Sequence, residues 1–185
     1  MTERHPWQPY LPPEPKLLML GTFPPQPKRW SMEFYYPNPS NDMWRVMGLI
    51  FFGDRDALWD SEAKRFRLDD IKVLLDKHGI ALWDTAMEIR RLRDNASDKF
   101  LEIVKPIDLA ALLDAHPSIK TVVTTGEKAS GVVAAIAGVS IPAVGASVEC
   151  EIAGHLFAFW RMPSTSRAYP LALEKKADFY RKVFE

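Results

Sequence analysis

Short apolar runs alternate with amphipathic stretches along most of this chain, and that alternation limits its fold more than any other feature. Leu17 to Leu20, Ile80 to Trp83 and Thr121 to Thr124 are each four residues long and almost wholly apolar or β-branched. Runs of that length and character are what strands look like when both faces of a sheet are covered. Between them lie stretches with helical spacing. A stretch through Trp44, Met47 and Ile50 follows the capping candidates Asn41 and Asp42 and stops at Gly53. Asp69 to Lys77 stops at Gly79, a stretch opening at Asp108 stops before Pro117, and Glu127 to Ala137 follows Gly126. Leu171 to Phe184 closes the series. A further helix is expected near Ala57 to Arg65, and Glu88 to Asp98 reads as a polar loop. Ile141 to Val144 can open a fourth strand, and Ser147 to Ile152 with His155 to Trp160 reads as a hairpin around Ala153-Gly154.

The expectation is an α/β fold with a central, mostly parallel four-stranded sheet flanked by helices on both faces. In such sheets ligands bind beyond the carboxyl ends of the strands. Three segments should meet there, since each follows an expected strand: Thr22 to Asn41, Asp84 to Asp98, and Met162 to Tyr169. Residues 1–185 suit one domain. Five prolines in the first sixteen residues (Pro6, Pro9, Pro12, Pro13 and Pro15) exclude helix and central strand there. That segment should run extended over the surface, pinned by Trp7 and Tyr10.

Formal net charge is zero, which argues against a protein that coats nucleic acid non-specifically. A local cationic rim drawn from Lys28, Arg29, Arg90, Arg91 and Arg93 would suffice for a small footprint. The single cysteine, Cys150, cannot bridge internally, and no apolar run is long enough to span a bilayer. With no signal-peptide pattern, the expectation is a cytoplasmic monomer with no membrane partner. No phosphate loop, dinucleotide fingerprint, CxxC pair, HExxH or G-x-S-x-G elbow occurs, and the four histidines are scattered. The expectation is therefore no cofactor and no metal.

Four fragments, in order, carry a family resemblance. They are Leu20-Gly21-Thr22-Phe23-Pro24-Pro25, then Tyr35-Tyr36-Pro37-Asn38-Pro39-Ser40-Asn41-Asp42-Met43-Trp44, then Gly79-Ile80-Ala81-Leu82-Trp83-Asp84, and Met162-Pro163-Ser164-Thr165-Ser166. Together they resemble the uracil-DNA glycosylase superfamily, and within it the hypoxanthine-DNA glycosylase branch. The chain departs from that branch at Pro25, at Arg167 where proline is commoner, and at Thr124-Thr125 where an asparagine is often seen. Met162 stands where the best-known uracil enzymes carry histidine.

The resemblance implies excision of a deaminated base, uracil or hypoxanthine, from DNA. The base must leave the stack, its glycosidic bond must break, and water must attack the sugar. The place where the best-known uracil enzymes carry Asp or Asn is here the apolar Phe23, so the water-orienting role passes to Asn41. An amide can hold a water by fixed donors and acceptor; Asn41 can equally be a helix cap. Gly21, Thr22 and Phe23 would meet the flipped base, Phe23 by stacking, or Phe23 is an ordinary loop aromatic packed on the core. Tyr35 and Tyr36 either wall the pocket or pack in the core. Asp84 would accept an N–H of the base edge, or cap a strand end. Pro163, Ser164, Thr165, Ser166 and Arg167 would contact DNA, the hydroxyls and backbone N–H groups meeting phosphates; the alternative is a hydroxyl-rich turn. The rival reading is a superfamily member that binds nucleic acid or a nucleotide without cleaving it. A third is an unrelated small-molecule enzyme on the same kind of sheet.

Overall fold

The computed structural model describes residues 1–94 and 97–184. Its centre is a five-stranded mixed sheet. In chain order its strands are β2 (Leu17–Gly21), β5 (Ile80–Asp84), β8 (Thr121–Thr125), β9 (Ser147–Ile152) and β10 (His155–Met162), arranged β5-β2-β8-β10-β9. The first four in that arrangement run parallel, and β9 lies antiparallel at the edge.

Side-chain alternation along β2 explains the two covered faces. Leu17 and Met19 join a cluster with α1 (Met43–Phe52), α2 (Leu68–His78) and α5 (Leu173–Phe184). Leu18 and Leu20 point the other way, into a cluster with α3 (Leu109–Ala115), α4 (Glu127–Ala137) and the β9–β10 hairpin. Every residue of β2 is buried.

Four expectations are corrected. The sheet has five strands rather than four, because both arms of the 147–162 hairpin join it. Ile141 to Val144 is not a strand; Pro142 has no N–H for a ladder. The helix expected at Ala57 to Arg65 is a small hairpin of β3 (Trp59–Asp60) and β4 (Arg65–Phe66). There the Asp60 carboxylate accepts the N–H groups of Glu62 and Ala63, both at 3.0 Å, which favours a turn over a helix. The first four residues of the loop expected at Glu88 to Asp98 belong to β6 (Ala86–Arg91), and Asp98 opens a short 3₁₀ turn over Asp98–Phe100; Asn95 and Ala96 lie outside the described residues. β6 pairs with β7 (Leu101–Pro106) and with β1 (Thr2–Arg4), forming a second, antiparallel sheet.

The start of the chain is extended, and its first residues form an edge strand. Tyr10 continues the attachment, exchanging backbone hydrogen bonds with Leu82 at 2.9 and 3.0 Å. Trp7 packs against Trp30 and Tyr35.

Candidate active site

The parallel strands end on one side of the sheet, and their last residues are Gly21, Asp84, Thr125 and Met162. A cleft of about 840 Å³ opens above these ends. Gly21, Thr22, Phe23, Tyr36, Asn41 and Asp84 line it, as do Ser164, Thr165, Ser166 and Arg167. The volume falls in the usual range for small-molecule sites.

The floor is polar because Gly21 has no side chain. A methyl group there would sit 2.8 Å from Asp84 Oδ1, 3.2 Å from the Tyr36 hydroxyl and 3.6 Å from Thr125 Oγ1. Three oxygens from three segments thus converge on the end of β2. Tyr36 reaches this place at a cost: its φ of 53° lies in the left-handed region, which side chains other than glycine avoid. Its ring packs edge-on to Trp44, and its hydroxyl lies 3.5 Å from Thr125 Oγ1. Backbone strain of this kind gathers at functional sites. Burial, then the neighbouring Asp84 charge, push the Tyr36 phenol well above its ordinary range, so it stays a neutral donor.

Asp84 is buried, and its Oδ2 lies 2.7 Å from His5 Nε2. The His5 ring also meets Phe23 edge-on at 5.4 Å. Nothing local in the sequence marks His5, a lone histidine before Pro6 that is 79 residues from its partner.

Asp98 is the other residue that sequence reasoning missed. It lines the cleft, and its carboxyl is pushed up to about 6. Burial is the main cause, and the Asp84 charge adds to it; the Thr22 hydroxyl, Lys128 and Arg91 oppose it. Its only sequence signal was its place at the end of one of the three segments expected to meet.

The loop after β10 crosses the mouth of the cleft beside Asn41. The Asp42 N–H donates to the Thr165 carbonyl at 2.8 Å, and Asn41 forms a bridge with Ser166. Ser166 and Arg167 are exposed, whereas Thr165 is buried. Asn41 Oδ1 accepts the Met43 N–H at 2.9 Å, so its carbonyl side caps α1.

Two residues lie back from the cleft lining. Tyr35 is buried, its hydroxyl donating to the Gln8 carbonyl and its carbonyl accepting from Trp44 Nε1. Pro163 is buried, and its carbonyl accepts the Tyr180 hydroxyl. The cationic rim is largely paired with acids. Lys28 meets Asp94 at 2.8 Å, Arg90 meets Glu102 at 2.7 Å and Arg91 meets Glu3 at 2.7 Å.

The cleft lining thus brings the Phe23 ring, the Asp84 and Asp98 carboxyls and the Tyr36 and Thr125 side chains together around one space. The chain is similar in fold to a solved structure. That is the solution NMR structure of a protein from Methanosarcina acetivorans, provisionally named a uracil DNA glycosylase. The two share 22% identity with a TM-score of 0.67, over 100% of this chain and 97% of that one. The fold is the same. No protein-family model and no curated protein matches the chain. Among the described residues no helix is long and apolar enough to cross a membrane.

Proposed function

We propose that this chain is a single-domain, monofunctional DNA glycosylase of the uracil-DNA glycosylase superfamily, closest to the hypoxanthine branch. It acts as a monomer on DNA and removes a deaminated base, uracil or hypoxanthine, by hydrolysing the N-glycosidic bond. The supporting observation is the convergence of Asn41, Phe23, Asp84 and the Ser164 to Arg167 loop on one cleft at the strand ends. Phe23 stacks on the flipped base. Asp84 Oδ1 accepts an N–H of its edge, and the Tyr36 and Thr125 hydroxyls meet its carbonyl. Asn41 orients the attacking water through its amide N–H. Ser164, Ser166 and Arg167 hold phosphates of the flanking strand.

One observation favours a second reading. Asn41 commits one lone pair of its carbonyl oxygen to the Met43 N–H, which leaves one acceptor position and the amide donors for a water. A protein that binds the base without cutting would tolerate that. Oligonucleotides carrying uracil, hypoxanthine or xanthine, treated with alkali after incubation, separate the two. Strand breaks at the modified position support the glycosylase; specific binding without breaks supports the second reading.

A further inference from the structure

The edge strand β1 delivers His5 to the back of the cleft. The His5 N–H donates to the Met87 carbonyl at 2.8 Å, which fixes the backbone. The ring is held by Phe23 at 5.4 Å, Tyr35 at 6.0 Å and Trp7 at 6.1 Å. Its side chain is only 3% exposed, and it is not part of the cleft lining. Among the described residues its one polar partner on that side is Asp84 Oδ2.

With Asp84 as a carboxylate, the hydrogen-bond pattern limits which ring atom carries the proton. Nδ1 lies 3.2 Å from the Trp7 N–H and 2.9 Å from the Trp7 carbonyl. A neutral ring with its proton on Nε2 donates to Asp84 and accepts from the Trp7 N–H. A protonated ring donates to Asp84 and to the Trp7 carbonyl. The remaining tautomer would set the bare Nε2 lone pair against a carboxylate oxygen 2.7 Å away, lone pair to lone pair. Both admissible states therefore cap Oδ2 with an N–H. Asp84 is left with Oδ1 as its acceptor toward the cleft, and among the described residues Oδ1 takes no hydrogen bond.

We propose that His5 is a positioning residue that makes Asp84 a one-acceptor reader, selecting bases that present a single N–H beside a carbonyl. This rests on the glycosylase reading and narrows its substrate class. An unencumbered carboxylate accepts two parallel N–H groups. Guanine offers that pair from N1 and its exocyclic amine. Hypoxanthine offers N1–H beside its carbonyl, and uracil offers N3–H between two. Oδ1 takes the N–H, and the Tyr36 or Thr125 hydroxyl donates to the carbonyl. Adenine and cytosine place a ring-nitrogen lone pair opposite Oδ1. A buried site left unpaired in this way rejects the wrong base.

The test compares wild type, His5→Phe and His5→Gln. Phenylalanine keeps the ring packing but has no N–H; glutamine restores a donor of similar reach. Each protein is assayed for excision of hypoxanthine and for competition by free hypoxanthine and free guanine, with melting as a fold check. His5→Phe should lower the hypoxanthine-to-guanine preference about tenfold or more, the size expected for losing a hydrogen bond to a charged group. His5→Gln should recover most of it. Nitrogen-15 shifts of the wild-type ring at neutral pH should show Nε2 protonated. That measurement decides alone where His5→Phe does not fold, and a bare Nε2 overturns the proposal. A wild type that neither excises nor binds any base sinks the glycosylase reading and this proposal with it. A wild type that excises normally, beside a folded His5→Phe with unchanged preference, overturns the role of His5 only.

Discussion

Lys176 Nζ lies 3.2 Å from Asp42 Oδ2 and 2.9 Å from the Ser166 carbonyl, with the lysine fully buried. One ammonium on α5 thereby ties the start of α1 to the loop across the cleft mouth. Arg167 completes the group, 3.4 Å from Asp42 Oδ1. Asn41 and the Ser164 to Arg167 loop are thus held in one register by a charge pair of which Asp42 stands in the Tyr35 to Trp44 sequence fragment and Lys176 in none.

Lys176→Met should therefore destabilise the protein by about 3–5 kcal/mol, because it leaves the Asp42 carboxylate buried without its main partner. Adding Asp42→Asn to Lys176→Met should return much of that loss. Urea melts of the two single variants and the double variant measure the coupling. Strict additivity would show that the pair is not coupled.

Arg167 is the cation best placed for DNA. Its side chain is 54% exposed at the cleft mouth, and its contacts to Pro39 and Asp42 are long, so a phosphate can displace them. Arg167→Ala should weaken DNA binding for every sequence and lower the salt slope by about one phosphate contact. An unchanged slope would place Arg167 outside the interface.

Asp98 gives a pH signature. Its folded-state carboxyl is raised, so the protein holds this proton more tightly when folded, and the associated stability is present at low pH and lost as pH rises through about 6. Below that point the group is a neutral donor that can hydrogen-bond a departing base. Above it, a second negative charge beside Asp84 opposes a leaving anion. Single-turnover excision should fall as pH rises through about 6, and Asp98→Asn should flatten that step. A step that survives in Asp98→Asn belongs to another group.

Gly21→Ala should block the floor. Its methyl would sit 2.8 Å from Asp84 Oδ1, closer than such contacts occur, and neither Asp84 nor Tyr36 is free to withdraw. Excision should drop at least tenfold, with only a modest change in melting. Retained activity would mean that the base edge does not reach this oxygen cluster.

Much of the frame was legible because β2, β5 and β8 are buried on both faces and so read as unbroken apolar runs. The bounds of α4 were equally plain, since Gly126 precedes it and Gly138 ends it. β6 was not, because only Ala86 and Ile89 along it are buried while Glu88, Arg90 and Arg91 interrupt the pattern. The charge on Arg90 is a cross-strand pair with Glu102, which no window confined to one strand can see. The cleft walls contributed by Gly21, Asp84 and Ser164 followed from strand ends alone. His5 and Lys176 did not, because each acts through a partner more than a hundred or nearly eighty positions away along the chain.

Asn41 carries the sharpest prediction. It sits between the Ser166 bridge and the first turn of α1, with its carbonyl oxygen on the Met43 N–H. Phe23 has no polar atom to hold a water, so in this cleft the Asn41 amide N–H is the group proposed to do so. Asn41→Ala removes both the donor and the cap. Losing a positioned group should cost about two to four orders of magnitude in single-turnover excision, by analogy with loss of an oxyanion-hole donor. Losing the cap should cost about 1 kcal/mol of stability. Asn41→Asp separates the two effects, since a carboxylate still accepts from Met43 but offers no N–H. DNA affinity should change little in either variant, because phosphate contacts dominate it. Asn41→Asp melting like wild type with excision nearly abolished is the expected result. A variant that cuts normally, whatever its melting point, would leave Asn41 as a helix cap and return the water to another residue of the cleft.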